Sequence, residues 1–278
     1  MIVLERIATL DVAAASGLCR IGDELIVVAD DELTLHRYGL DGSVRGRIVL
    51  LPGSLPDEAR ARKRAKPDFE ALTALPDGSL LAIGSGSAPG RDRAAWIDLA
   101  AGAARIVDLE PLYAALRGRI EPLNVEGACA AGDSLLLFTR RTGRAGENTL
   151  VRLDLGATLA ALAAGRLDPA LLQGVEPVEL LFVGGAPLGF TDAAPWRGGA
   201  LYAAAAEVTD DPVEDGACVG CELGWIDPDG RVAWREPVEP CVKLEGITVD
   251  PDGLVHVVAD GDDRAVLAPL FRARIPTG

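Results

Sequence analysis

Along almost the whole chain, short apolar runs alternate with turns built on glycine, aspartate and proline. Turn signals recur roughly every 8–12 residues, a rhythm that predicts many short strands rather than helices. One pattern repeats within it: a small or acidic residue, then glycine or alanine, a short apolar stretch, a turn and a second apolar run. Its five copies start at Ser16 (SGLCRIGDELIVVAD), Glu70 (EALTALPDGSLLAIGS), Glu126 (EGACAAGDSLLLFTR), Asp192 (DAAPWRGGALYAAAAE) and Glu245 (EGITVDPDGLVHVVAD). A leucine opens each second run, at Leu25, Leu80, Leu135, Leu201 and Leu254. The turns before these leucines carry hairpin residues such as Gly22-Asp23 and Asp252-Gly253.

The starts lie 54, 56, 66 and 53 residues apart, and the step from Glu245 through the C-terminus to Ser16 is 49. A near-constant step that closes on itself predicts a ring, with space for four short strands per unit. The expected fold is therefore all-β, a five-bladed β-propeller formed by residues 1–278 as one domain. In the first blade, strands are expected at 16–21, 25–30, 33–38 and 44–50. The fifth unit runs out of chain after a strand near Ala265–Ile275. The apolar segment Ile2–Leu10 is expected to supply its missing outer strand and to close the ring. The alanine- and leucine-rich stretch Ala157–Gln173 accounts for the one long step as a short helical insertion. An α/β fold would need further long helices, and the periodicity elsewhere offers none.

Chain order separates the two faces of such a ring. Tight hairpin turns fall on one face. The long polar segments Pro52–Phe69, Ser87–Arg93, Arg141–Asn148 and Glu207–Glu222 fall on the other, where binding usually sits. The five repeat starts belong to that second face, beside the central channel. Ser16, Glu70, Glu126, Asp192 and Glu245 are thus expected to ring the channel mouth. Residues two positions upstream share a side in extended chain, which adds Asp68, Asn124 and Lys243. The second strands end nearby at Asp30, Ser85, Arg140, Glu207 and Asp260. In the fourth unit Phe190-Thr191-Asp192 presents either Thr191 or Asp192 to the axis, and alignment on Leu201 favours Asp192.

Charge sharpens this picture. The formal net charge is −15, which disfavours nucleic acid and anionic membrane as partners and suits a cation. Acids converging on one axis repel unless something neutralises them. One solution is a hard cation such as Ca²⁺, which takes six to eight oxygen ligands. The other is internal pairing: lysine occurs three times, and Lys66 and Lys243 lie just upstream of Glu70 and Glu245. His36 and His256 fall inside expected strands and read as core or surface residues rather than ligands. Among five cysteines, Cys218-Val-Gly-Cys221 has the spacing of half a zinc site, but no second pair completes it. Loop thiols are the plainer reading, with Cys241 leaving a redox or three-thiolate site open. The N-terminus lacks a basic start and a small-residue cleavage site, and no apolar run approaches a membrane span, so a cytoplasmic location is expected.

The segments Asp68-Phe-Glu70-Ala, Asn124-Val-Glu126-Gly and Lys243-Leu-Glu245-Gly-Ile resemble strand starts of several bacterial propeller families. These are the phytase-like "esterase-like activity" family and, more distantly, the gluconolactonase/senescence-marker proteins and the calcium-activated apyrases. The resemblance to the apyrases implies a central Ca²⁺ held by glutamates and hydroxyls of the blade starts, which match Ser16, Glu70, Glu126, Asp192 and Glu245. The strings Lys66-Pro-Asp-Phe-Glu-Ala-Leu-Thr73 and Ile83-Gly-Ser-Gly-Ser87 also resemble an uncharacterised bacterial family. The nucleotide-binding pattern of the apyrases and the acidic calcium loops of the phytases are not evident.

Three functions follow. The first is a metal-dependent hydrolase of a phosphate ester, lactone or ester, with Glu70, Glu126 or Asp68 as general base. Lys66, Arg140, Lys243 and Asn124 would hold a small-molecule substrate at the mouth. No G-x-S-x-G elbow or serine-activating histidine is present. The second is a glycosidase using paired channel carboxylates, against which stands an aromatic content of 4%. The tryptophans Trp96, Trp196, Trp225 and Trp234 are explained equally well by blade packing. The third is a non-catalytic propeller that binds a small molecule or protein, pinned by a channel cation or by lysine–glutamate pairs.

Overall fold

Each repeat folds as the inner hairpin of a blade, and the five blades close into a propeller. The computed structural model describes residues 1–141, 146–208, 216–260 and 265–276. Blade 1 runs from the axis outward as Ala15–Ile21, Glu24–Ala29, Thr34–Gly39 and Val44–Val49. The innermost strands of blades 2 to 5 are Phe69–Ala74, Val125–Ala131, Ala186–Trp196 and Leu244–Val249. Closure follows the expected route: Glu5–Thr9 pairs antiparallel with Pro269–Arg274 as the outer strand of blade 5. The chain also uses Ile2–Val3, which runs parallel to the outer strand Val232–Glu239 of blade 4. Two neighbouring blades are thereby tied by one N-terminal segment.

The core lies between blades, which explains why the second strands are apolar throughout rather than alternating. In Glu24–Ala29, Leu25, Val27 and Ala29 pack toward blade 5, while Ile26 and Val28 pack toward blade 2. Equivalent apolar clusters fill the three other blade interfaces. Near the axis the packing is closest. A Cβ on Gly127 would sit 2.8 Å from the Ala193 backbone nitrogen, and one on Gly246 2.8 Å from that of Leu18. The glycine after the glutamate in each "EG" start therefore lets neighbouring inner strands approach.

The insertion expected at 157–173 is a helix, Leu155–Ala164, capped by Asp154 and ended by Gly165 in the left-handed region, followed by the 3₁₀ turn Pro169–Leu171. Two short helices lacked a sequence signal. Ala59–Ala65 buries no residue, so it has no apolar stripe to read; Glu58 caps it, and Arg62 anchors it to Asp31 at 2.9 Å. Glu110–Arg117 is only eight residues long and packs Leu112, Tyr113 and Leu116 against the core. The long loop expected at Glu207–Glu222 is shorter, because strands Gly199–Val208 and Ala217–Ile226 extend into it. Cys218 and Cys221 accordingly lie in a strand, not a loop. Residues 142–145 of the expected loop Arg141–Asn148 lie outside the described residues. Among the described residues, no helix is long and apolar enough to cross a membrane.

Candidate functional site

All five innermost strands carry a β-bulge at the repeat start. The pairing with the second strand skips one residue between Ala15 and Gly17, Phe69 and Ala71, Val125 and Gly127, Phe190 and Asp192, and Leu244 and Gly246. The skipped residues are Ser16, Glu70, Glu126, Thr191 and Glu245, one from each blade. A bulge frees a residue from the ladder and re-aims its side chain, and such devices gather at active sites. In blade 4 Thr191 takes this place rather than Asp192. Asp192 occupies the position held by glycine or alanine elsewhere, and its carboxylate accepts from the Ile247 backbone N–H at 2.7 Å. It is fully buried, and burial pushes its pKa well up.

Four of the bulged residues, Ser16, Glu70, Glu126 and Glu245, line a cavity of about 460 Å³ at the channel mouth. Asp30, Asp68, Asn124, Lys66, Arg140 and Lys243 complete most of its wall. Toward the hairpin face the channel opens into a second cavity of about 320 Å³, lined largely by apolar and hydroxyl groups such as Leu18, Leu72, Thr73 and Thr248. That cavity holds one charged pair, Arg20 and Asp250 at 3.3 Å, so the channel's charge gathers mostly at the mouth.

Most of that charge is paired. Lys66 forms an ion pair with Asp30 and another, at 2.7 Å, with Asp68. Asp68 also pairs with Arg91 at 2.8 Å and accepts from Ser85 Oγ. Its backbone φ of 59° is left-handed, a conformation that aspartate tolerates better than most residues. Arg140 bridges Glu207 at 2.9 Å and Glu126 at 3.9 Å. Lys243 lies 3.4 Å from Glu245 and 3.8 Å from Glu207. Asn124 donates through Nδ2 to Glu126 Oε1 at 2.5 Å, and Ser16 donates to the Phe69 carbonyl at 2.5 Å. Glu70 has no hydrogen-bond or ion-pair partner among the described residues.

The acids nonetheless outweigh their partners, and their proton affinities show it. Glu70 is pushed well up by burial, then by Asp68, Asp30 and Glu126. Burial likewise raises Glu126 to about 7 against the pull of Arg140 and Lys243, and it raises Glu245 well above the usual range. Ligand oxygens of Glu70, Glu126 and Glu245 lie within 4.8 Å of one another; so do those of Asp30, Asp68 and Glu70. Asp30 and Asp68 of the second group are held by close contacts to Lys66 and Arg91, whereas Arg140 and Lys243 stand farther off, at 3.9 Å from Glu126 and 3.4 Å from Glu245, which leaves the first group the more open cradle for a cation. Thr191 Oγ1, at the equivalent place in blade 4, is buried without a partner. A hard cation on the axis would find three carboxylates, oxygen donors of the kind Ca²⁺ takes.

Arg91 and Ser87 were not singled out by sequence reasoning. Arg91 lies in one of the long loops, so loop position was the available signal, but nothing marked it among 24 arginines. Trp96, Trp196, Trp225 and Trp234 all pack on the clusters between blades; Trp196 and Trp225 meet edge-on at 6.0 Å, and none lines the mouth. His36 and His256 are buried, and burial lowers both pKa values.

The fold resembles solved propellers at low sequence identity. Glutaminyl cyclase from Myxococcus xanthus matches with TM-score 0.56 and 14% identity, covering 99% of this chain and 98% of that one. The tail fibre of a Staphylococcus aureus phage matches with TM-score 0.53 and 9% identity, over 99% of this chain and 53% of the fibre. At these identities the likeness is one of fold. No curated protein matches the chain by sequence. Residues 11–275 match DUF6929, a family of unknown function, and the chain belongs to that family.

Proposed function

We propose that the channel mouth binds one Ca²⁺ on Glu70, Glu126 and Glu245 and hydrolyses a phosphate ester, lactone or ester beside it. The observation that carries this reading is the gathering of three carboxylates within 4.8 Å, two of them buried and Glu70 partly so, each pushed toward protonation by its surroundings. Such a cluster is neutralised by protons or by a cation. A bound Ca²⁺ would supply Lewis-acid polarisation of the scissile oxygen. The chain's own groups do the rest. Burial holds Glu126 near 7 while no cation is bound; Ca²⁺ on its carboxylate would draw it lower, so Glu126 would serve the ion as an ionised ligand. Asp68 is committed to Lys66, Arg91 and Ser85, so it positions rather than transfers a proton. Lys66, Arg140 and Lys243 line the same cavity and would hold an anionic group, with Asn124 orienting Glu126.

The lysine pairs also favour a second reading, a non-catalytic ring whose mouth acids are held by Lys66 and Lys243 or by a structural cation. Calorimetric titration of chelator-treated protein separates these outcomes. One Ca²⁺ per chain, lost in Glu70→Gln, is expected, together with turnover of some member of a panel of phosphate esters, lactones and arylesters. Binding without any turnover would leave the cation as a structural pin, and no binding would sink the hydrolase reading and leave the lysine pairs.

A further inference from the structure

The mouth uses none of the five cysteines, yet three of them gather behind it. Cys218 lies in the third strand of blade 4, where its partner across the ladder is Glu207. The register of that pair shifts by one residue, so that Gly220 faces Ala206 and Val219 is skipped. The bulge returns Cys218 to the side of Cys221, and both pack against the cluster between blades 4 and 5. Cys241 arrives from the link into blade 5, two residues before Lys243. Its Sγ stands 3.3 Å from that of Cys218. Cys241 is exposed and Cys218 half-buried, while Cys221 is buried and donates to the Val238 carbonyl at 3.6 Å.

We propose that Cys218 and Cys241 form a reversible dithiol–disulfide pair, oxidised by a peroxide and reduced by a small thiol. The chemistry takes two steps. The Cys218 thiolate attacks one peroxide oxygen, the O–O bond breaks, and the released hydroxide takes a proton to become water. Cys218 is then a sulfenic acid. The Cys241 sulfur attacks the Cys218 sulfur, the S–S bond forms, the S–O bond breaks, and hydroxide leaves with the Cys241 proton as a second water. The two thiols lose two electrons and two protons in all, and the peroxide accepts both.

The division of roles follows from the surroundings. Hydrogen bonding from Cys221 and Cys241 draws the Cys218 thiol down to about 6, so it is largely thiolate at neutral pH and makes the attacking sulfur. Exposure gives Cys241 the freedom to resolve it. The bridge would tie the third strand of blade 4 to the link that carries Lys243, which stands 3.8 Å from Glu207. The inference holds whatever the mouth binds.

Peptide mapping by mass spectrometry of the full chain, before and after hydrogen peroxide, tests it. A Cys218–Cys241 cross-link is expected, with native thiol titre falling by about two per chain and returning with dithiothreitol. In Cys241→Ser, Cys218 should stop at the sulfenic acid and be trapped by dimedone. A cross-link between Cys218 and Cys221, a disulfide between chains, or an unchanged thiol titre would each overturn the proposal.

Discussion

Replacing Glu126 by glutamine should stabilise the protein in neutral and alkaline solution, even though it removes half of an ion pair. In the folded chain Glu126 titrates near 7, against an ordinary value of 4.5. Between these values the unfolded chain has released the proton and the folded chain still holds it. Stability therefore falls as pH rises through that window and levels off above about 7. The shift corresponds to about 3 kcal/mol at pH 8, and to about 1 kcal/mol at pH 5 where the unfolded group is only partly ionised. Glutamine carries no charge to desolvate and can still accept from Asn124 Nδ2 through its amide oxygen. Arg140 keeps Glu207 at 2.9 Å, so the variant leaves no cation stranded. Urea unfolding of both proteins at pH 5 and pH 8, with m-values compared, measures the difference. A variant no more stable than the parent at pH 8, or an equal difference at both pH values, would refute the reasoning. Calcium should reverse the order, since only the parent keeps all three carboxylates.

Two further perturbations probe the same region. Lys66→Met removes the cationic partner of Asp30 and one of the two cationic partners of Asp68, and should cost about 3 kcal/mol at neutral pH, much of it recovered in acid as the stranded carboxylates protonate. Urea midpoints at the two pH values check this. Gly127→Ala and Gly246→Ala each place a Cβ 2.8 Å from a neighbouring backbone nitrogen and should cost about 1–3 kcal/mol. Gly46→Ala, with nothing within 4 Å, should be close to neutral by the same assay.

The ring was legible because its determinants are local and repeat five times: apolar second strands, tight turns, and glycine or alanine after the start. What sequence spacing misjudged was register in blade 4. Alignment of Leu201 with Leu25 and Leu135 placed Asp192 at the start. In the folded chain Leu25 pairs with Arg20 and Leu135 with Ala130, each four residues beyond its bulge. Four residues beyond Thr191 is Pro195, and its partner is Ala200, not Leu201. A fully buried alanine does the work of leucine there, because the large side chains Phe190 and Tyr202 occupy that part of the core. Hydrophobic identity marked the strand but not the residue. Arg91 was out of reach for a different reason, since its place at the mouth depends on how a loop returns there; for Cys218 and Cys241 the sequence left a redox or three-thiolate site open, and the fold selects the contact.

The bulge also explains why the repeat starts reveal the site's location more readily than its chemistry. A residue skipped by the ladder is excused from pairing, so its side chain is chosen by what the axis requires rather than by strand geometry. An apolar residue at that place would seal the channel without electrostatic penalty. Blades 2, 3 and 5 instead supply glutamates whose burial raises their proton affinity, with Glu70 left without a partner. An arrangement that costs stability in the folded chain is the kind kept for binding or chemistry. The stabilisation expected in Glu126→Gln is therefore also a test of function: a ring that gains stability by losing this acid, and loses calcium with it, holds the acid for the cation.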